Sequence, residues 1–187
     1  MKILVATSKP FAPVAVKGIK EVLKNAGHEM VLVEKGTKAD MINAIADCAG
    51  LIVRSDIVDK EVMDAAPELK VVVRAGAGYD NLDLEACSAR GIVAMNTPGQ
   101  NANAVAEHVM ALILCWYKNI VKLDKFLKSG SDEVDLNYSG AELSDKTIGL
   151  VGFGHVGKIV AEYCNAFHMK VLVYSHHPTD VAGIEQR

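Results

Sequence analysis

Short apolar runs alternate with segments of helical spacing from the first residue onward, and the alternation stays regular for nearly a hundred residues. Lys2 to Ala6 predicts a strand. Pro13 to Ala26, with Val16, Ile19, Val22 and Leu23 apolar, predicts a helix stopped by Gly27, and Glu29 to Glu34 a second strand. The pattern then repeats: helix at Lys38 to Ala46, strand at Gly50 to Arg54, short helix at Lys60 to Ala66 before Pro67, strand at Lys70 to Arg74, helix at Leu84 to Arg90, strand at Ile92 to Met95. Parallel strands need crossovers, and helices cover both faces of such a sheet. The order therefore predicts an α/β fold with a doubly wound, flavodoxin-like parallel sheet. Thr97-Pro98-Gly99-Gln100-Asn101 interrupts the alternation and sets the expected domains at 1–97 and 98–187.

Beyond that break, Asn103 to about Leu127 reads as one long helix, and Ser129 to Gly140 as a polar loop. Lys146 to Val151 is a strand, followed at once by Gly152-Phe153-Gly154-His155-Val156-Gly157. Lys158 to Phe167 has helical spacing, with Ile159, Val160, Tyr163 and Phe167 on one side, and Met169 to Tyr174 supplies a parallel partner strand. Strand, glycine turn and helix in this order predict the start of a Rossmann dinucleotide-binding lobe, with these two strands as its only ones. Gly152 would permit the tight turn, Gly154 the approach of backbone amides to a pyrophosphate at the helix N-terminus, and Gly157 close packing of helix on strand. A glycine-rich corner without a ligand is the competing reading. Where NAD-binding folds usually place an acidic ribose ligand, this chain has Ser175, followed by His176, His177 and Pro178. No carboxylate there repels a 2′-phosphate, so NADP stands beside NAD. The double His also fits a solvated turn, with Asp180 taking the ribose instead.

Half of the 187 residues are hydrophobic and the formal net charge is −3, with both signs intermixed, which gives no electrostatic footprint for nucleic acid or an anionic membrane. The apolar start is too short for a signal peptide, and Val105 to Tyr117 is interrupted by Glu107 and His108. A cytoplasmic protein is expected. Cys48, Cys87, Cys115 and Cys164 lack metal-ligand spacing and are expected to be reduced thiols, with no metal site.

Ligands of open parallel sheets bind beyond the carboxyl ends of the strands. Arg54-Ser55-Asp56 follows one strand and offers a guanidinium and a hydroxyl to a carboxylate or phosphate. Arg74-Ala75-Gly76-Ala77-Gly78-Tyr79-Asp80-Asn81 follows another, where small residues leave backbone amides open as an anion-binding nest. A surface Arg paired with an acid, and a plain glycine turn, are the bland alternatives. Together the two loops favour a small acid.

Arg74 to Asp83, Met95 to Asn101, Val105-Ala106-Glu107-His108 and Glu142 to Gly149 leading into the glycine turn resemble the D-isomer-specific 2-hydroxyacid dehydrogenases over nearly the whole chain. Val53-Arg54-Ser55 and the Arg74 loop resemble the branch that acts on a phosphorylated acid, 3-phosphoglycerate, in serine biosynthesis. The resemblance implies a substrate lobe and a nucleotide lobe with the active site between them, and a homodimer formed through the nucleotide lobe. Residue by residue, it implies that Arg54 and Ser55 face the substrate phosphate or carboxylate. Ala75, Gly76 and Ala77 would offer amides to the carboxylate, with Ala77 also near the nicotinamide. Gly152, Gly154, His155, Val156 and Gly157 would hold the pyrophosphate, and Ser175 with His176 would sit at the ribose.

The family's catalytic Arg, Glu and His have no counterparts before Arg187. No catalytic residue is therefore assigned, and the chain alone is expected to be inactive. His108 reads as a helix residue, and His28 and His168 as turn residues. Two expectations stand: the N-terminal part of a larger dehydrogenase, or a non-catalytic binding or assembly module that keeps the ligand loops. In either case the helix from Asn103 is expected to support self-association through Val109, Leu112, Ile113 and Trp116.

Overall fold

The computed structural model describes residues 1–130, 139–176, 181 and 183–186. Two compact units divide at Gln100 and Asn101, three residues past the expected boundary.

In the first unit the strands are β1 (Lys2–Thr7), β2 (Glu29–Glu34), β3 (Cys48–Val53), β4 (Val71–Arg74) and β5 (Val93–Asn96). They form one parallel sheet in the order β2-β1-β3-β4-β5. The intervening crossovers are α1 (Pro13–Asn25), α2 (Lys38–Ile45), α3 (Lys60–Asp64) and α4 (Leu84–Ala89). This is the expected doubly wound sheet, and its order reverses between β1 and β3, where such folds open a ligand crevice. Leu4, Ile45, Leu51, Val53, Val58, Val62 and Val72 are fully buried and form the core. Helix α1 lies shallower than its pattern suggested; it has no fully buried residue and Val22 is exposed. Its end is set by Gly27, whose positive φ of 72° lets His28 N–H reach Leu23 O and Gly27 N–H reach Lys24 O. That capping motif also accounts for His28 as a turn residue.

The second unit departs from the sequence reading in three places. The long helix is two, α5 (Ala102–Tyr117) and α6 (Ile120–Lys128), bent by 58° at a break where Asn119 takes φ 53°. Asn tolerates the left-handed region better than most side chains, so a single residue turns the chain. After β6 (Thr147–Val151), helix α7 runs His155–Ala166, so the last three residues of the glycine motif already belong to it. A third strand, β8 (Ile184–Gln186), joins β7 (Lys170–Tyr174) to give the parallel order β6-β7-β8.

Ala106 and Met110 of α5 and Val160, Ala161 and Cys164 of α7 cover Val171 and Val173 of β7, closing a second core. Phe167, expected on the packed side of α7, is exposed as the residue that caps the helix. His168 follows at φ 57° and donates N–H to Asn165 O, a structural turn made without glycine. No single helix among the described residues is long and apolar enough to cross a membrane. Cys48, Cys87 and Cys164 are buried free thiols, with pKa values raised by burial, and Cys115 is half-buried.

Candidate functional site

The first cluster lies at the carboxyl ends of β1, β3 and β4. Arg54, one residue past β3, is half-buried. Its Nη1–H donates to Lys9 O at 3.2 Å and Pro10 O at 2.8 Å, and its Cζ stands 5.4 Å from the centre of the Phe11 ring. Backbone carbonyls and an aromatic face thus hold this guanidinium, and no acid pairs with it among the described residues. Its remaining N–H groups keep their charge-assisted donor capacity. Ser55 beside it is exposed. Asp56 accepts Ser8 N–H at 2.8 Å and, through its carbonyl, Asn81 Nδ2–H at 2.7 Å, tying the loops after β1, β3 and β4 together. Phe11 and the Lys9–Pro10 carbonyls were not legible as site residues, since nothing in the local pattern says which loop meets Arg54.

The loop after β4 carries the second set of donors, shifted from the expected ones. Ala75 N–H donates to Val53 O at 2.8 Å and Gly76 N–H to Arg74 O at 2.9 Å, so both are engaged within the protein. Ala77, Gly78, Tyr79 and Asp80 follow, and their amides find no acceptor among the described residues. Ala77 is half-buried and the next three are exposed. Arg74 ties the two loops together: its Nε–H donates to Arg54 O at 2.9 Å. Its guanidinium fills the place a side chain at Gly76 would need, with Nη1 1.7 Å from the position of a Cβ there.

In the second unit each glycine of the turn meets a separate steric demand. Gly152 has φ 98°, a conformation few side chains accept. A Cβ on Gly154 would meet nothing within 4 Å, which leaves its face open. A Cβ on Gly157 would stand 2.6 Å from Gly152 O. Gly154 is the N-cap of α7 and has no side chain to cap it, so the amides of the first helical turn, His155 to Gly157, have no partner from within the helix. Such a terminus receives anions, and the residues fit a dinucleotide pyrophosphate. Gly152 N–H donates to Tyr174 O at 2.8 Å, which brings the turn beside the end of β7. Ser175 is the next residue, half-buried, and His176 is exposed with its ring 6.2 Å from that of Tyr174. His177, Pro178 and Asp180 lie outside the described residues. His108 is exposed on α5, beside Glu107, which accepts Asn103 Nδ2–H at 2.6 Å.

A family model described as D-isomer specific 2-hydroxyacid dehydrogenase, catalytic domain, matches residues 5–177. A D-3-phosphoglycerate dehydrogenase of Archaeoglobus fulgidus is 39% identical over 175 residues, which is 93% of this chain and 32% of that protein. Among solved structures, NAD+-bound 3-phosphoglycerate dehydrogenase from Entamoeba histolytica is 45% identical with a TM-score of 0.79, covering 98% of this chain and 56% of that one. An acyclic imino acid reductase in complex with NADPH and D-Arg is 30% identical with a TM-score of 0.83, covering 100% of this chain and 60% of that one. The chain spans about a third of the curated relative's length.

Proposed function

The chain belongs to the D-isomer-specific 2-hydroxyacid dehydrogenase family, and from that premise we propose that it carries the substrate loops and the first part of the cofactor site of an oxidoreductase acting on 3-phosphoglycerate. The first unit is assigned to the substrate and the second to a nicotinamide dinucleotide. The observation that carries this reading is the pair of unlike anion receptors on the neighbouring strands β3 and β4: a guanidinium at Arg54 and free amides at Ala77 and Gly78. A substrate with a phosphate at one end and a carboxylate at the other uses both. Arg54, with the Ser55 hydroxyl, binds the phosphate, because its planar fork matches a tetrahedral dianion. The amides of Ala77 and Gly78 bind the carboxylate.

NAD, when bound, supplies the hydride acceptor. Gly154 would give its pyrophosphate access to the backbone, the amides of His155, Val156 and Gly157 would offset part of its charge, and Ser175 would serve the ribose. With no carboxylate at Ser175, NADP is tolerated beside NAD, which the NADPH-bound relative supports. No residue of this chain is assigned as the proton acceptor for the substrate hydroxyl. Serine biosynthesis in the cytoplasm belongs to the same reading. So does a homodimer: Leu112, Trp116 and Val121 line an apolar groove along α5 and α6, and Trp116 is 81% exposed.

Calorimetric titration of the 187-residue chain tests the assignment. Saturable binding of 3-phosphoglycerate, weakened at least about tenfold in Arg54→Met, is the expected outcome. Equal binding of D-lactate and 3-phosphoglycerate would contradict it.

A further inference from the structure

Two carbonyls of the loop after β4 are held by the last residue of β5 and the one after it. Thr97 N–H donates to Gly76 O at 3.0 Å, and Asn96 Nδ2–H donates to Ala77 O at 2.7 Å. Every described peptide is trans, and in a trans peptide the carbonyl and the following N–H lie in one plane and point opposite ways. Fixing Gly76 O therefore aims Ala77 N–H, and fixing Ala77 O aims Gly78 N–H. These are the first two amides of the loop that find no acceptor among the described residues.

The two bonds differ in what secures them. The first is backbone to backbone and lies just past the paired strands, whose last pair sets Arg74 opposite Asn96. The second depends on one half-buried side chain. It also holds the peptide that leads into a glycine, where the backbone has most freedom to turn the plane over. A carbonyl that accepts a hydrogen bond further polarises the N–H of its own peptide and makes it a better donor.

We propose that Asn96 is a positioning residue for the substrate carboxylate, acting through the Ala77–Gly78 peptide without touching the ligand. This deepens the substrate assignment above and rests on it. The side-chain amide of Asn96 does for the second peptide plane what the backbone amide of Thr97 does for the first.

The test uses the 187-residue chain labelled with ¹⁵N, unchanged and as Asn96→Ala and Asn96→Asp, titrated separately with 3-phosphoglycerate and with inorganic phosphate. In the unchanged chain, 3-phosphoglycerate shifts the amide signals of Ala77 and Gly78. In both variants its affinity falls about tenfold, as expected for one hydrogen bond to a charged group, and the Gly78 response shrinks. The response of Arg54 Nε–H to inorganic phosphate stays as it was. Asn96→Asp is the more affected, because its carboxylate faces a carbonyl oxygen; if it fails to fold, Asn96→Ala carries the comparison. Variants that keep the spectrum of the fold, the affinity and the Gly78 response would overturn the role of Asn96. Silence at Ala77 and Gly78 in the unchanged chain would instead overturn the substrate assignment, and the role of Asn96 with it.

Discussion

A Cβ on Gly157 would stand 2.6 Å from the carbonyl oxygen of Gly152, so the first turn of α7 rests directly on the turn that leaves β6. The overlap is with backbone, which no rotamer change relieves. Gly157→Ala is therefore expected to destabilise the second unit by about 1–3 kcal/mol, and Gly152→Ala by a similar amount through its positive φ. Gly154 faces open space but is the N-cap of α7, so Gly154→Ala is expected to cost no more than about 1 kcal/mol while weakening NAD+ binding. Thermal unfolding with and without NAD+ separates the three. Equal destabilisation by all three substitutions would contradict the division of labour.

Ser175 follows Tyr174, whose carbonyl accepts the Gly152 N–H, so it stands beside the glycine turn. A carboxylate at this point accepts a hydrogen bond from the ribose of NAD and repels the 2′-phosphate of NADP. Ser175→Asp is expected to raise the NAD-over-NADP ratio of kcat/KM in the complete gene product at least about tenfold, one charged hydrogen bond's worth. A ratio that does not move would place the ribose elsewhere.

Lys38 Nζ lies 2.7 Å from Asp59 Oδ2 and 2.5 Å from Glu61 Oε2, joining the N-termini of α2 and α3. This hydrogen bond, with help from Val62 N–H, holds the Asp59 carboxyl below its ordinary 3.8, and the two acids hold the Lys38 amine above its ordinary 10.5. The Asp59 contribution to stability is present above pH 3.8 and is lost as pH falls through the lower folded value. The Lys38 contribution is present below 10.5 and is lost as pH rises through the higher one. Asp40, lowered by Thr37 N–H in the cap of α2, shares the acid limb. Melting temperature against pH is expected to fall less steeply on the acid side in Asp59→Asn without becoming flat, and high salt should shrink the difference. An unchanged acid limb would count against the pairing.

Leu112, Trp116 and Val121 leave an apolar groove uncovered on α5 and α6. Val109 and Ile113, expected beside Leu112 and Trp116 in a dimer contact, are half-buried and pack against the core of their own unit. The proposed dimer thus depends on the outer pair, and Trp116→Glu is expected to shift the protein to monomer in sedimentation velocity while leaving the melting temperature nearly unchanged. Loss of the fold in that variant would show that the residue serves its own chain.

The fold was legible where periodicity speaks: five strands with crossovers between them, then strand, glycine turn and helix. It failed where one residue acts against its neighbours. Asn119 turns a helix that every flanking residue would continue, and β8 is three residues long, too short for a pattern. At the site, the loops could be found because they follow strands. Which amides stay free could not, because Ala75 loses its own to Val53 O on the neighbouring strand and Gly76 turns back onto Arg74 O two residues earlier. Phe11 under Arg54 escaped for the same reason.

The most direct measurement is kcat/KM of the complete gene product for 3-phosphoglycerate with NAD+, beside Arg54→Lys and beside D-lactate as substrate. Arg54 Nη1 alone serves the Lys9 and Pro10 carbonyls and leaves Nε and Nη2 for a phosphate, whereas lysine has a single nitrogen for both tasks. 3-Phosphoglycerate is expected to be preferred over D-lactate by at least about a hundredfold, two charged contacts' worth, and Arg54→Lys to remove most of that preference. Comparable rates on the two acids, or an Arg54→Lys variant as selective as the unchanged enzyme, would contradict it.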